Sequence, residues 1–184
     1  MKNEIEKEQP IYTTDMLTIN TKTLEDVADL LKAFYDKEAV RRLNSKNKNK
    51  SNGDDFDNCT TAEKVKMGVD FWQYSFEHSD VTHYKIILNA TKNQIGNLVI
   101  DKIETEDKLK KLGVLTIDLE NKYEKQQYIN DILEIVNQYF YEALGVDFML
   151  TKAKSKEKER ITSLNTKGYI TNKEFKGYKG YFVR

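Results

Sequence analysis

A single domain of mixed α/β (α+β) class is what this sequence predicts, and three observations predict it. The apolar period switches repeatedly between the two-residue alternation of strands and the 3.6-residue spacing of helices. The clearest passage, Leu112 to Leu144, reads as a buried strand, a polar turn and an amphipathic helix in direct succession. With 184 residues the chain can bury one good core and is short for two. The expected layout is a solvated extension over residues 1–10, then one domain over 11–184.

Composition narrows the partners. The 30 Lys plus Arg balance the 30 Asp plus Glu, for a formal net charge of zero. Such a balance argues against a nucleic-acid or anionic-membrane surface. Eleven Tyr and eight Phe, with many Ile and Leu, supply core material although a third of the chain is charged. Cys59 is the sole cysteine, so no intramolecular disulfide can form. The charged start M-K-N-E-I-E-K-E-Q-P lacks a signal-peptide core, and no apolar run reaches membrane-spanning length. A reducing, cytoplasmic setting is expected.

In chain order, Leu17 and Ile19 alternate with Met16, Thr18 and Asn20 in a first strand. Thr23-Leu-Glu-Asp26 has the form of a capping box, followed by a helical stripe of Leu24, Val27, Leu30, Leu31 and Phe34. Asn44 to Asn58 is nearly without apolar residues and reads as a surface loop. Its Asp54, Asp55 and Asp57 do not make a calcium loop, because Cys59 and Thr60 stand where a ligand and Gly belong. A second capping box, Thr60 to Glu63, leads a helix carrying Val65, Val69, Trp72 and Phe76. His78 and His83 have no partner at metal-ligand spacing, so no metal site is expected.

The period then turns extended. Tyr84 to Ala90 and Ile95 to Ile100 form a hairpin across Thr91 to Gln94, and Gly96 marks a bulge or a close backbone approach. Residues 101–111 are charged and should turn outward. Leu115, Ile117 and Leu119 alternate in the next strand, and Ile129, Ile132, Leu133, Val136, Phe140, Ala143 and Leu144 make the helix stripe, closed by Gly145. Val146 to Leu150 is a further strand, Lys154 to Lys167 a charged helix stopped by Gly168, and Tyr169 to Arg184 one or two closing strands. The repeated K-G-Y of those closing strands reads as aromatic cross-strand pairing rather than nucleic-acid stacking, and it offers a surface through which two copies could pair as a homodimer. A strand that feeds straight into a helix N-terminus also presents backbone N–H groups to an anion, here over Tyr123 to Asn130.

This order of elements resembles the GNAT acetyltransferase superfamily, nearest its ribosomal-protein and polyamine N-acetyltransferase branch. Asp36-Lys-Glu-Ala-Val-Arg-Arg-Leu43 is similar to the branch's D-P-E-V-x-x-x-L segment, Ile95-Gly-Asn-Leu-Val-Ile100 to its I-G-x-I-x-L strand, and Lys167-Gly-Tyr169 to its terminal L-G-F. The resemblance implies a mixed, mostly antiparallel sheet with a splayed parallel strand pair, flanked by about four helices. It implies acetyl-CoA as co-substrate, an amine acceptor, and cofactor contacts from Leu119, Tyr123, Lys125, Gln126, Gln127, Tyr128, Ile129 and Asn130. The chain departs from the pattern in several places. Lys125 and Gln127 replace the phosphate-loop glycines, whose backbone freedom lets a ligand approach closely. Glu157 and Arg160 stand for the branch's Asn and Ser, Leu164 for a catalytic Tyr, and Val114 for a central-strand Glu. No acid or base is nominated. The readings are therefore an acetyl-CoA-dependent N-acetyltransferase or a catalytically degenerate GNAT-fold binding module.

Overall fold

In a computed structural model, the described residues are 10–21, 81–104, 111–175 and 178–184, with positions 63, 66, 67 and 70. The predicted first helix, its capping box and the Asn44–Asn58 loop lie outside them. Of the second predicted helix, Glu63, Lys66, Met67 and Asp70 are described and helical.

Eight strands form one sheet: β1 (Ile11–Thr13), β2 (Leu17–Thr21), β3 (Val81–Leu88), β4 (Asn93–Glu104), β5 (Lys111–Leu119), β6 (Phe148–Thr151), β7 (Ile170–Phe175) and β8 (Tyr178–Val183). Their spatial order is β1-β2-β3-β4-β5-β6-β8-β7. Every pairing is antiparallel except β5 with β6. The last strand slips between β6 and β7, anchored by Arg184 and Met149, which exchange backbone hydrogen bonds of 2.9 and 3.0 Å.

The hairpin of β3 and β4 is the predicted one, made longer. Of residues 101–111, expected to turn outward, 105–110 lie outside the described residues, while 101–104 instead pair with β5 as far as Glu104↔Lys111, the ladder overriding a charged local sequence. Gly96 sits at a bulge: Ile86 faces Gly96 and Ile87 faces Gln94, leaving Ile95 without a partner in the register. A Cβ at Gly96 would stand 2.3 Å from the Asp118 carbonyl oxygen, so backbone approaches backbone there.

The helix after β5 is α1 (Gln126–Ile135), which continues through a π-helical stretch (Val136–Phe140) into α2 (Tyr141–Leu144) and stops at Gly145 with φ +62°. Ile129, Ile132, Leu133, Ile135, Val136 and Phe140 join the core with Leu17, Ile19, Tyr84, Ile86, Leu98, Ile100, Leu115, Ile117 and Leu119. Phe140 stacks on Tyr84 at 5.1 Å and meets Tyr12 edge-on at 4.7 Å. Ala143, expected on the buried stripe, is exposed. The wider π turn inserts about one extra residue, which rotates everything after it away from a 3.6-residue phase. The strand expected from Val146 begins at Phe148, and the helix expected from Lys154 is shorter, α3 (Lys158–Thr166), ending at Gly168 with φ +85°.

Strand alternation sends the other side chains to the opposite face of the sheet. There Asn20, Lys85, Asn97 and Asp118 are register neighbours across β2, β3, β4 and β5, a polar row in mid-sheet.

Candidate functional site

β5 and β6 run together only from Leu112↔Phe148 to Leu115↔Thr151. Beyond that point β5 continues through Leu119, while the chain after β6 leaves towards α3. The parallel pair is therefore splayed, and the bulge at Gly96, paired with Leu119, sits beside the open end.

Arg160 bridges this opening. It lies on the inner stripe of α3 with Ser163 and Leu164 and is 1% exposed. Its Nη1 donates to the Ile117 carbonyl at 2.8 Å, and its Nε and Nη2 donate to the two carboxylate oxygens of Glu124 at 2.7 and 2.8 Å. Burial acts against the cation, but the Glu124 hydrogen bonds and charge, with Asp118 and Glu157 nearby, outweigh it and raise the guanidinium pKa. A fork geometry met on three sides is how a buried arginine is normally accommodated.

The loop from β5 to α1 is wound on itself. A 3₁₀ turn over Asn121–Tyr123 follows Glu120. The N–H groups of Tyr123, Glu124 and Lys125 donate to the carbonyls of Glu120, Asn121 and Tyr123 at 2.9, 3.2 and 2.7 Å. Lys125 caps α1 in an extended conformation, φ −124°, so its position requires no glycine. The first N–H of α1, on Gln126, donates to Glu159 Oε2 at 3.0 Å. An anion does sit at this helix N-terminus, and it is a carboxylate of the chain itself.

A cleft of about 310 Å³ lies between loop and helix, lined by Asn121, Glu124, Lys156, Glu157, Lys158, Glu159 and Arg160. Glu157 Oε2 accepts the Lys154 N–H at 2.8 Å, while its Oε1 is buried without a hydrogen bond. Among the described residues, no group of His, Cys, Asp or Glu could hold a metal ion. None of their helices is long and apolar enough to cross a membrane.

Solved structures share this architecture end to end. RimL, a ribosomal L7/L12 α-N-protein acetyltransferase in complex with coenzyme A, superposes with a TM-score of 0.69 at 12% identity, covering 95% of this chain and 97% of the other. The chain has the GNAT acetyltransferase fold. The ribosomal-protein-S5-alanine acetyltransferase from Vibrio fischeri gives 0.68 at 11% identity over 95% and 96% of the two chains. A GNAT-family acetyltransferase from Bacillus anthracis gives 0.67 at 11% over 95% and 98%. No protein-family model matches the sequence, and no curated protein matches it. The likeness is one of three-dimensional form.

Within the GNAT fold the residues singled out from sequence separate into distinct positions. Leu119 and Ile129 are core residues, 1% and 0% exposed. Tyr123 and Tyr128 meet edge-on at 5.5 Å and pack against that core. Lys125 and Gln127 are exposed. Gln126 alone gives its N–H at the anion position, and its carbonyl accepts the Ser163 hydroxyl at 3.3 Å. Asn130 Oδ1 is buried without a hydrogen bond. Sequence reasoning missed Glu124, Glu159 and Asp118, and it read Arg160 only as a departure from the branch. A signal for Arg160 was present: with Ser163 and Leu164 it falls at i, i+3 and i+4, which puts a cation on a buried stripe and demands a carboxylate nearby. For Asp118 the signal was the alternation of L-T-I-D-L, which turns Asp118 away from Leu115, Ile117 and Leu119.

Proposed function

We propose that this protein is an acetyl-CoA-dependent N-acetyltransferase that moves an acetyl group onto an amine, either a peptide N-terminus or a small molecule. The observation carrying this reading is the splay: β5 outruns its parallel partner at Leu115 and leads through one short loop into the N-terminus of α1. The GNAT-fold neighbours named above support it, since they are acetyltransferases and one is in complex with coenzyme A. Acetyl-CoA would supply an acyl group already activated as a thioester.

The anion position, in the conformation described, does not fit a diphosphate. Glu159 already accepts the Gln126 N–H, and Glu124 and Glu157 add negative charge along the cleft. What the chain's own residues offer is on the acceptor side. Asp118, 4% exposed, stands at the splayed end of β5 on the sheet face away from α1. In this reading its carboxylate takes the proton from the incoming ammonium, leaving the amine nucleophilic. A reducing cytoplasmic setting suits the single cysteine, Cys59.

The test is thiol release from acetyl-CoA by the full chain, with N-terminal peptides and polyamines as acceptors. Release that depends on an amine is expected. Silence with every amine at millimolar acetyl-CoA would leave a binding module instead.

A further inference from the structure

A side-chain amide on the sheet face of Asp118 has its nitrogen bonded and its oxygen not. Gln94 stands second in β4, and its Nε2 donates to the Gly96 carbonyl at 3.2 Å and to Asn97 Oδ1 at 2.9 Å. A backbone carbonyl only accepts, so the bulge at Gly96 fixes which end of the amide is nitrogen and turns Oε1 the other way. There Oε1 is buried without a hydrogen bond, and a buried acceptor held in one orientation calls for a donor. Asn97 is the register partner of Asp118, and its bond to Gln94 puts both amides on the face of that carboxylate. The Glu120 N–H donates to the Ile95 carbonyl at 3.0 Å, so this end of β4 borders the loop leaving β5 at the open end of the splay.

We propose that Gln94 binds the acceptor amine, its Oε1 accepting one N–H of the nitrogen that Asp118 deprotonates. This rests on the acetyltransferase reading given above. The N–H groups of an ammonium point to tetrahedral corners, so one can reach Oε1 while another reaches the carboxylate. After Asp118 takes its proton, the neutral amine keeps an N–H for Gln94, and the nitrogen stays in place through the transfer. The clamp on Nε2 orders the oxygen before any ligand arrives, which lowers the ordering needed on binding. Because the bond serves ammonium and amine alike, it contributes to binding more than to the chemical step. Asn20 Oδ1 is likewise buried without a hydrogen bond, but it lies three strands from Asp118, about 14 Å, too far to share one nitrogen.

Steady-state thiol release from acetyl-CoA by the full chain, with N-terminal peptides and polyamines as acceptors, tests this in Gln94→Met and Gln94→Glu. Gln94→Met keeps the length of the side chain and removes the acceptor. The KM for the amine should rise about tenfold, the worth of one hydrogen bond to a charged group, with kcat and the KM for acetyl-CoA unchanged. Gln94→Glu keeps an oxygen acceptor and loses only the Nε2 donors, and Asn97 can turn its own amide to donate to the carboxylate. It should hold the amine KM within about threefold of the natural protein. A merely structural clamp predicts otherwise, since both variants lose the bond to the Gly96 carbonyl and would suffer alike. In the natural ¹⁵N-labelled chain, the Gln94 side-chain amide signals should shift saturably with the amine, whatever the variants' stability. An unchanged KM in Gln94→Met, equal losses in both variants, or side-chain signals unmoved at saturating amine would overturn the contact and leave the acetyltransferase reading standing. No amine-dependent release by the natural protein would overturn both.

Discussion

A guanidinium that is 1% exposed must have its donors met, and Arg160 meets them with Glu124 and the Ile117 carbonyl. Truncating Glu124 to Ala would strand that cation in the interior. The expected loss is about 3–5 kcal/mol in urea unfolding, against a change within about 0.5 kcal/mol for exposed Glu159→Gln. Asp118→Asn keeps the size of the side chain but removes the proposed proton acceptor. Turnover with an amine should fall about 10²–10⁴-fold with little change in melting temperature. Asp131 gives a pH signature. Its carboxyl is raised above 3.8, first by burial, with the Thr14 hydroxyl bond opposing. A raised acid favours the protonated folded state, so its stabilising share is complete below the ordinary carboxylate range and lost as pH rises through the folded pKa. Asp131→Asn should therefore gain in melting temperature relative to the natural chain at pH 7, and gain less near pH 3. The helical period of α3 made Arg160 readable as a buried cation. Its partner was not readable, because Glu124 lies far along the chain in a loop whose winding no periodicity records.

The elements themselves were largely visible in advance. Strand alternation located β2, β3, β4 and β5, and the i, i+3, i+4 spacing located α1 with its Gly145 stop. Tertiary pairing supplied what local pattern could not. The charged end of β4 is held straight by β5, and the π stretch of the α1–α2 helix turns Ala143 outward. The order β6-β8-β7 could not be read either, since nothing local says that the last strand inserts beside β6. Gly96 is the element-scale test. The residue reads in sequence as a bulge or close approach, and a methyl group there would meet the Asp118 carbonyl at 2.3 Å. Gly96→Ala should cost about 1–3 kcal/mol by denaturant unfolding. Because the bulge adjoins Leu119, it should also weaken coenzyme A binding, whereas a loss of stability alone would leave the affinity of the folded fraction unchanged.

At the scale of the whole molecule, the fold is shared with acetyltransferases at only 8–12% identity. The frame persists because it is made by core volume and strand pairing, which many sequences satisfy. Here Lys125 ends a loop closed by its own hydrogen bonds, exposed Gln127 stands in the first turn of α1, and Glu159 supplies the anion. The central proposal is that the acyl donor binds along β5 and the N-terminus of α1, which requires it to take the Gln126 N–H from Glu159. Following backbone amide signals of the ¹⁵N-labelled full chain during titration with acetyl-CoA tests it most directly. Saturable shifts concentrated at Gln126, at Ile117 to Leu119 and over Glu157 to Arg160 are predicted. Saturation with those amides unmoved, or no shifts at millimolar acetyl-CoA, would contradict it.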